Sequence, residues 1–232
     1  MAFTQVLEHE LEKFPFLYVP KEGEKLTELE GVQRLVMLDR YAQKDALLET
    51  LKEGDVVLTT VKYDPKFPTQ GYGKVKKIND DGTVIVDIEY PEHVDTDEDL
   101  HNLVRPREDI VKPVEIYWEQ IAYRVARGAA QAEEEPKREY WFQKFYHMLK
   151  NMYYIPGGRV LYGAGSGVEV TLFNCFVLPR IPDSRGGIID HIRLAAEIMS
   201  RGGGVGSNIS TLRPKGAPVF GVNGYSSGPV SW

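Results

Sequence analysis

Thr171-Leu-Phe-Asn-Cys-Phe-Val177 reads as an apolar strand with a cysteine at its centre. Asp183-Ser184 then supplies two helix N-cap candidates, and Ile188, Ile192, Ala195 and Met199 recur at the spacing of one helical face. Ser200-Arg-Gly-Gly-Gly-Val-Gly206 follows that helix directly. Closely spaced glycine turns expose backbone N–H groups and let a chain approach an anion. The order of elements excludes a dinucleotide fingerprint, in which the glycine turn joins a strand to the helix after it. Taken alone, this run is a helix C-cap and turn, and Cys175 is a small buried hydrophobe.

Working outward, the same third of the chain carries Pro156-Gly-Gly-Arg-Val-Leu-Tyr-Gly-Ala-Gly165, Ser210-Thr-Leu-Arg-Pro-Lys-Gly216 and Gly224-Tyr-Ser-Ser-Gly-Pro-Val-Ser231. From Ile155 onward the texture is therefore glycine-rich, with short strands and one good helix. Upstream, Tyr117-Trp118, Ile121-Ala122, Val125-Ala126 and Ala129 form one apolar helical stripe. Pro136 opens a second helix with Trp141, Phe142, Phe145, Met148 and Leu149, a stripe that reads as core packing.

A different period rules the segment before Pro113. Asp55-Val-Val-Leu-Thr-Thr-Val-Lys-Tyr63 is β-branched. Gly71-Tyr-Gly-Lys-Val-Lys-Lys-Ile78 and Thr83-Val-Ile-Val-Asp-Ile-Glu-Tyr90 alternate on either side of Asn-Asp-Asp-Gly, a strong hairpin signal. Residues 54–112 thus read as a small antiparallel barrel or curled sheet. Its acidic loop from Glu92 to Asp99 lacks the spacing and glycine of a calcium loop and reads as solvated. Before it, Leu35, Leu38, Ala42 and Ala46 predict one or two amphipathic helices.

Composition bounds the function. The 232 residues carry a net charge of −6, with no basic stripe to bind nucleic acid through phosphates. No apolar run approaches the roughly 18 to 20 residues that cross a bilayer. The opening MAFTQVLEHELEKF is acidic where a signal peptide is basic, so a cytoplasmic location is expected. One cysteine excludes an internal disulfide and every multi-cysteine metal site, and no metal ligand set is expected.

Taken in order, the glycine run, Leu-Arg-Pro-Lys-Gly and Ser-Gly-Pro-Val-Ser resemble the start of the catalytic barrel in ribonucleotide reductase large subunits, of the class II, adenosylcobalamin-dependent branch. Leu38-Asp-Arg-Tyr41 with Lys44-Asp45, and Arg124-Val-Ala-Arg127, resemble that family's helical amino-terminal region. The resemblance covers residues 33–46 and 116–232, which makes 54–112 an insertion. It implies an α/β fold in four parts: a helical region at 1–53, the β-module at 54–112, a continued helical region at 113–154, and the incomplete start of an α/β barrel at 155–232.

The resemblance also implies roles. Cys175 matches the strand cysteine that reduces substrate and becomes half of a disulfide. Asn174 and Gly204 match positions that touch the substrate. Gly158 stands where many relatives carry Ser or Thr, so its contact would come from the backbone. Asp183, Ser184 and Arg213 match the region where a deoxynucleoside triphosphate effector selects the substrate base. Solvated caps and an ordinary surface arginine remain the plain alternative for these three. The implied activity is a ribonucleoside-diphosphate reductase that makes deoxyribonucleotides for DNA synthesis. Its cofactor would be adenosylcobalamin and its reductant thioredoxin-like, and it would be a dimer when complete. The radical-carrying cysteine, the second disulfide thiol and the cobalamin contacts are expected on a downstream half, so that the chain is inactive and poorly stable alone. No ATP-binding cone is expected before residue 33. The rival readings are a non-catalytic nucleotide-binding fragment, and a β-module that serves as an adaptor for a partner.

Overall fold

A computed structural model describes residues 10–231, and residues 1–9 of the expected helical region and the terminal Trp232 lie outside it. The described residues divide into two compact units, with the boundary between Gly167 and Val168. Among the described residues, no helix is long and apolar enough to cross a membrane.

In the first unit, helix α1 (Gly31–Val36) runs on as a π-helical turn over Met37–Tyr41. There the helix stops, short of the Ala42 and Ala46 that its periodicity anticipates. Ala42 is extended (φ −67°, ψ 141°), the Gln43 N–H donates to Glu115 Oε2 (2.9 Å), and strand β1 (Lys44–Asp45) begins. A buried carboxylate and a strand partner thus outcompete the remaining helical turns.

Strand β1 pairs antiparallel with β6 (Lys112–Pro113), which brings together the two ends of the intervening module. That module is a four-stranded antiparallel sheet in the order β2-β3-β4-β5 (Val56–Lys62, Thr69–Ile78, Thr83–Ile88, Leu103–Pro106). Register shifts at Thr60/Lys62 and Val75/Lys77 mark irregularities that curl it. Arg105 on β5 reaches across to the Thr60 carbonyl on β2 (2.8 Å) and grips Glu98 through two bonds (2.6 and 2.7 Å).

Both faces of β2 are used. Val57 and Val61 join Val75, Val84, Val86, Ile88 and Leu103 in the module's own core. Val56, Leu58 and Tyr72 pack instead into the helical core with Trp118, Ile121, Val125 and Phe142. The module is therefore built into its unit, and its neck is locked by Lys112. The buried Lys112 ammonium donates to Glu10 (2.7 Å), Asp55 (2.7 Å) and the Thr50 carbonyl (2.8 Å), satisfying all three of its donors.

The helical core is two packed helices, α2 (Trp118–Ala130) and α3 (Glu135–Lys150). Trp118, Ile121, Ala122, Val125 and Ala126 of the α2 stripe are buried, whereas Ala129 is exposed and Ala130 takes the core position; the Trp118 indole donates to the Leu149 carbonyl near the end of α3 (2.8 Å). Of the aromatic stripe on α3, Phe142 and Leu149 are buried, whereas Met148 stays 41% exposed. A short helix α4 (Gly158–Gly163) closes the unit, and its last carbonyls meet Arg124. That buried guanidinium donates to Leu161 (3.0 Å) and Ala164 (2.7 Å) while gripping both oxygens of Glu115 (2.7 and 3.0 Å). A cation at a helix C-terminus is favourable. Here it also fastens α2, α4 and the Tyr41 carbonyl (3.2 Å) at one point.

Candidate functional site

The second unit is built on a β-α-β element. Strand β7 (Cys175–Val177) runs parallel to β8 (Gly204–Gly206), with helix α5 (Arg185–Ser200) as the crossover between them. Parallel strands require such a crossover, usually helical. The pairing is Cys175 with Gly204, Phe176 with Val205 and Val177 with Gly206. It is extended at both ends, by Gly204 N–H to the Asn174 carbonyl (2.7 Å) and Leu178 N–H to the Gly206 carbonyl (3.1 Å).

Alternation along β7 decides where the thiol goes. Phe176 turns toward Gly203 and Ile198 of α5: a Cβ on Gly203 would lie 2.7 Å from Ile198 Cγ2 and 2.8 Å from the Phe176 ring. Cys175 and Val177 therefore face the opposite way, away from the covering helix. Both are exposed, Val177 at 94%. The plain reading of Cys175 as a buried hydrophobe does not hold.

Gly202, Gly203 and Gly204, after α5, each have their own physical reason. Gly202 adopts φ +80°, and its N–H donates to Met199 O (2.9 Å) while Gly203 N–H donates to Ile198 O (3.0 Å). That pair of bonds is a Schellman cap, which delivers the chain from the helix end into β8. Gly203 permits close packing of helix on strand. Gly204 lies beside the thiol.

Asp183, Ser184 and Arg213 come together at the start of α5. Ser184 Oγ accepts from the Gly187 N–H (3.0 Å), the N-cap bond that its sequence position predicts. Arg213 donates through Nε to Asp183 Oδ2 (2.8 Å), with its outer nitrogens 3.4 Å from the Asp183 and Pro218 carbonyls. Both side chains of the pair are about one-third exposed (35% and 36%). Leu212 beside Arg213 is buried, and Thr211 Oγ1 donates to the Ile181 carbonyl (2.7 Å), which fixes the Arg213 segment against the chain entering α5. The N-terminus of this 16-residue helix favours an anion, with a guanidinium beside it.

Asn174 precedes β7, with its carbonyl engaged by Gly204. Gly158 belongs to the first unit, at the start of α4, where the Tyr41 ring lies 3.3 Å from the position of a Cβ. One pair was not anticipated: His191 Nε2 on α5 lies 2.7 Å from Ser207 Oγ, just after β8. Only the parallel register brings those two together, and no local motif announces it. Among the described residues, no group of three or more His, Cys, Asp or Glu could hold a metal ion.

Residues 107–168 match the family model of the ribonucleotide reductase all-alpha domain, and residues 173–232 match that of the ribonucleotide reductase barrel domain. A vitamin B12-dependent ribonucleoside-diphosphate reductase of Mycobacterium tuberculosis is 39% identical over 116 residues, 49% of this chain and 16% of that protein. A ribonucleoside-diphosphate reductase large subunit of vaccinia virus is 34% identical over 85 residues, 37% of this chain and 11% of that one. The large chain from Schizosaccharomyces pombe is 33% identical over 85 residues, again 37% of this chain and 10% of its own. The chain thus spans between a tenth and a sixth of the length of these relatives.

Proposed function

From the premise that this chain belongs to the ribonucleotide reductase large-chain family, we propose that it supplies one redox thiol and part of the nucleotide-binding surface of a ribonucleoside-diphosphate reductase. The observation that carries the reading is the exposed Cys175 thiol on the strand face turned away from α5, within the segment that matches the barrel domain. In the reaction, the ribose 2′-hydroxyl leaves as water and a hydrogen takes its place. Two thiols supply the two electrons and end as a disulfide, and Cys175 is one of the two. The second thiol comes from outside these 232 residues, which contain one cysteine. A thioredoxin-type protein, itself a dithiol, returns the disulfide to thiols by exchange.

The substrate diphosphate sugar approaches the Cys175 face, with Asn174 and Gly204 beside the thiol. The effector, a deoxynucleoside triphosphate, is held at the N-terminus of α5 by Arg213, with Asp183 orienting the guanidinium and Ser184 capping the helix. The observed Arg213–Asp183 bond supports this as a preset fork, since a fixed guanidinium loses less freedom on meeting phosphate oxygens.

The B12-dependent relative supports adenosylcobalamin as cofactor. When bound, it supplies the radical that starts the chemistry. A corrin is a large ring and would ask its protein for a broad wall. The groups gathered around Cys175 (a thiol, backbone amides and Gly204) suit a sugar instead. They do not form a corrin site.

The test is turnover. This chain is combined with the polypeptide carrying the rest of the reductase barrel, adenosylcobalamin, a ribonucleoside diphosphate and a thioredoxin system, and deoxynucleotide is measured. Product from the mixture that disappears with Cys175→Ser supports the proposal. Undiminished turnover of Cys175→Ser removes the thiol from the mechanism. No product from a folded, associated mixture would leave a nucleotide-binding protein without this catalysis.

A further inference from the structure

We infer that Gly204 is a positioning residue for the Cys175 thiol, acting through the Cβ it lacks. The two residues are register partners on parallel strands, so a side chain at 204 would stand on the same face as the cysteine. A Cβ built there would lie 3.2 Å from Cys175 Sγ and 3.3 Å from the Asn174 carbonyl oxygen. Both separations are tighter than an ordinary contact, and the sulfur is the atom free to give way. It would do so by turning about χ1, out of its staggered well.

The neighbouring glycines show that this is not a general demand of the strand. Gly202 is required by its positive φ, and Gly203 by the Phe176 ring and Ile198 on the other face. Gly206, two residues on and on the thiol's own face, would meet nothing closer than the Phe176 carbonyl at 3.9 Å. Position 206 therefore tolerates a methyl group that position 204 does not. A thiol that must first face substrate and then meet a second sulfur within narrow disulfide geometry needs its rotamer unrestricted. The use of this device rests on the reading of Cys175 as a working thiol. The geometry that produces it does not.

The experiment is alkylation of the 232-residue chain by iodoacetamide, where a single cysteine makes the labelled site unambiguous. Rates are followed against pH for the unaltered chain, Gly204→Ala and Gly206→Ala, which separates a change in access from a change in thiol ionisation. Gly204→Ala is expected to slow the pH-independent rate by about two- to tenfold, the range that an off-rotamer thiol implies. Gly206→Ala is expected to stay within about twofold of the parent. Thermal midpoints are then compared with and without Cys175→Ala, because removing the sulfur should relieve most of the loss caused by Gly204→Ala. A Gly204→Ala chain that reacts at the parental rate overturns the inference. So does an equal loss of midpoint in both backgrounds. Should Gly204→Ala fold only when Cys175→Ala accompanies it, the coupling is shown in its strongest form; should neither fold, the strand needs the glycine for another reason and the inference fails. Turnover enters none of these readouts, so this result and the reductase assay fail independently.

Discussion

Replacing Arg124 with alanine is expected to be the most damaging single change in the helical core. Arg124 is 1% exposed and Glu115 is fully buried, so the pair sits away from water. Deleting the guanidinium leaves the Glu115 carboxylate with the Gln43 N–H as its remaining donor. It also strips a donor from the carbonyls of Leu161 and Ala164 at the end of α4. Breaking a buried ion pair from one side costs about 3–5 kcal/mol, because the surviving charge stays buried. Each buried carbonyl left without a partner adds a further penalty of about 1–3 kcal/mol when it cannot relax toward water. Against a total stability of about 5–15 kcal/mol, a loss of at least about 3 kcal/mol is a large fraction of the whole. Arg127 is the control, on the same helix with the same charge. It is half exposed, lies over the Tyr123 and Phe142 rings and sits 3.7 Å from Glu139, contacts worth about 1 kcal/mol together. Urea unfolding followed by far-ultraviolet circular dichroism compares the two variants with the parent. An Arg124→Ala loss of less than about 1 kcal/mol, or one equal to that of Arg127→Ala, would refute the view that this network fastens α2 to α4.

Three further outcomes are expected. Lys112→Met leaves Glu10 and Asp55 facing each other without their shared cation. It should destabilise the neck of the β-module by about 3 kcal/mol or more, read as faster amide exchange in β2 and β6. Ser184→Ala removes the N-cap bond of α5 at a cost of about 1 kcal/mol, measurable by thermal unfolding; no change would mean that the cap carries none of the helix's stability. Stability should also fall in acid. Burial pushes the Asp45 carboxyl up, but donors from Thr50 and the Lys13 ammonium more than offset it, so its pKa is lowered overall; the Arg105 bonds lower that of Glu98. For both, the unfolded chain binds protons more readily than the folded one. Their contribution is therefore complete above the ordinary carboxylate range near about pH 4 and is lost as pH falls through the depressed folded values. Asp45→Asn should flatten that slope in a pH series of denaturation midpoints, and an unchanged slope would count against the assignment.

The hairpin β3–β4 was legible because alternation and an Asp-Gly turn are both local, and the apolar stripe of α2 because its period is local too. The N-cap at Ser184 was legible for the same reason. The end of the first helical run was not: Ala42 keeps the helical spacing, but Glu115, far along the chain, takes the Gln43 N–H. Arg124 carries a local signal of burial, since a charged residue three positions after Ile121 falls within the apolar stripe and must find buried partners. Its carbonyl partners on α4 could not have been named from sequence. At the candidate site, the cysteine, the glycine run and the Asp183–Ser184 cap were visible as residues. The face on which the thiol stands follows from the parallel register of β7 with β8, a non-local fact, as does the meeting of His191 with Ser207.

The central claim, that Cys175 delivers electrons to a ribonucleotide, is met most directly by a single-turnover experiment on the assembled reductase. The enzyme is reduced, freed of reductant, given ribonucleoside diphosphate and adenosylcobalamin, then quenched with an alkylating agent and examined by peptide mass spectrometry. The account predicts that Cys175 is recovered in a disulfide in proportion to the deoxynucleotide formed. Deoxynucleotide formed while Cys175 is recovered fully alkylated would contradict it.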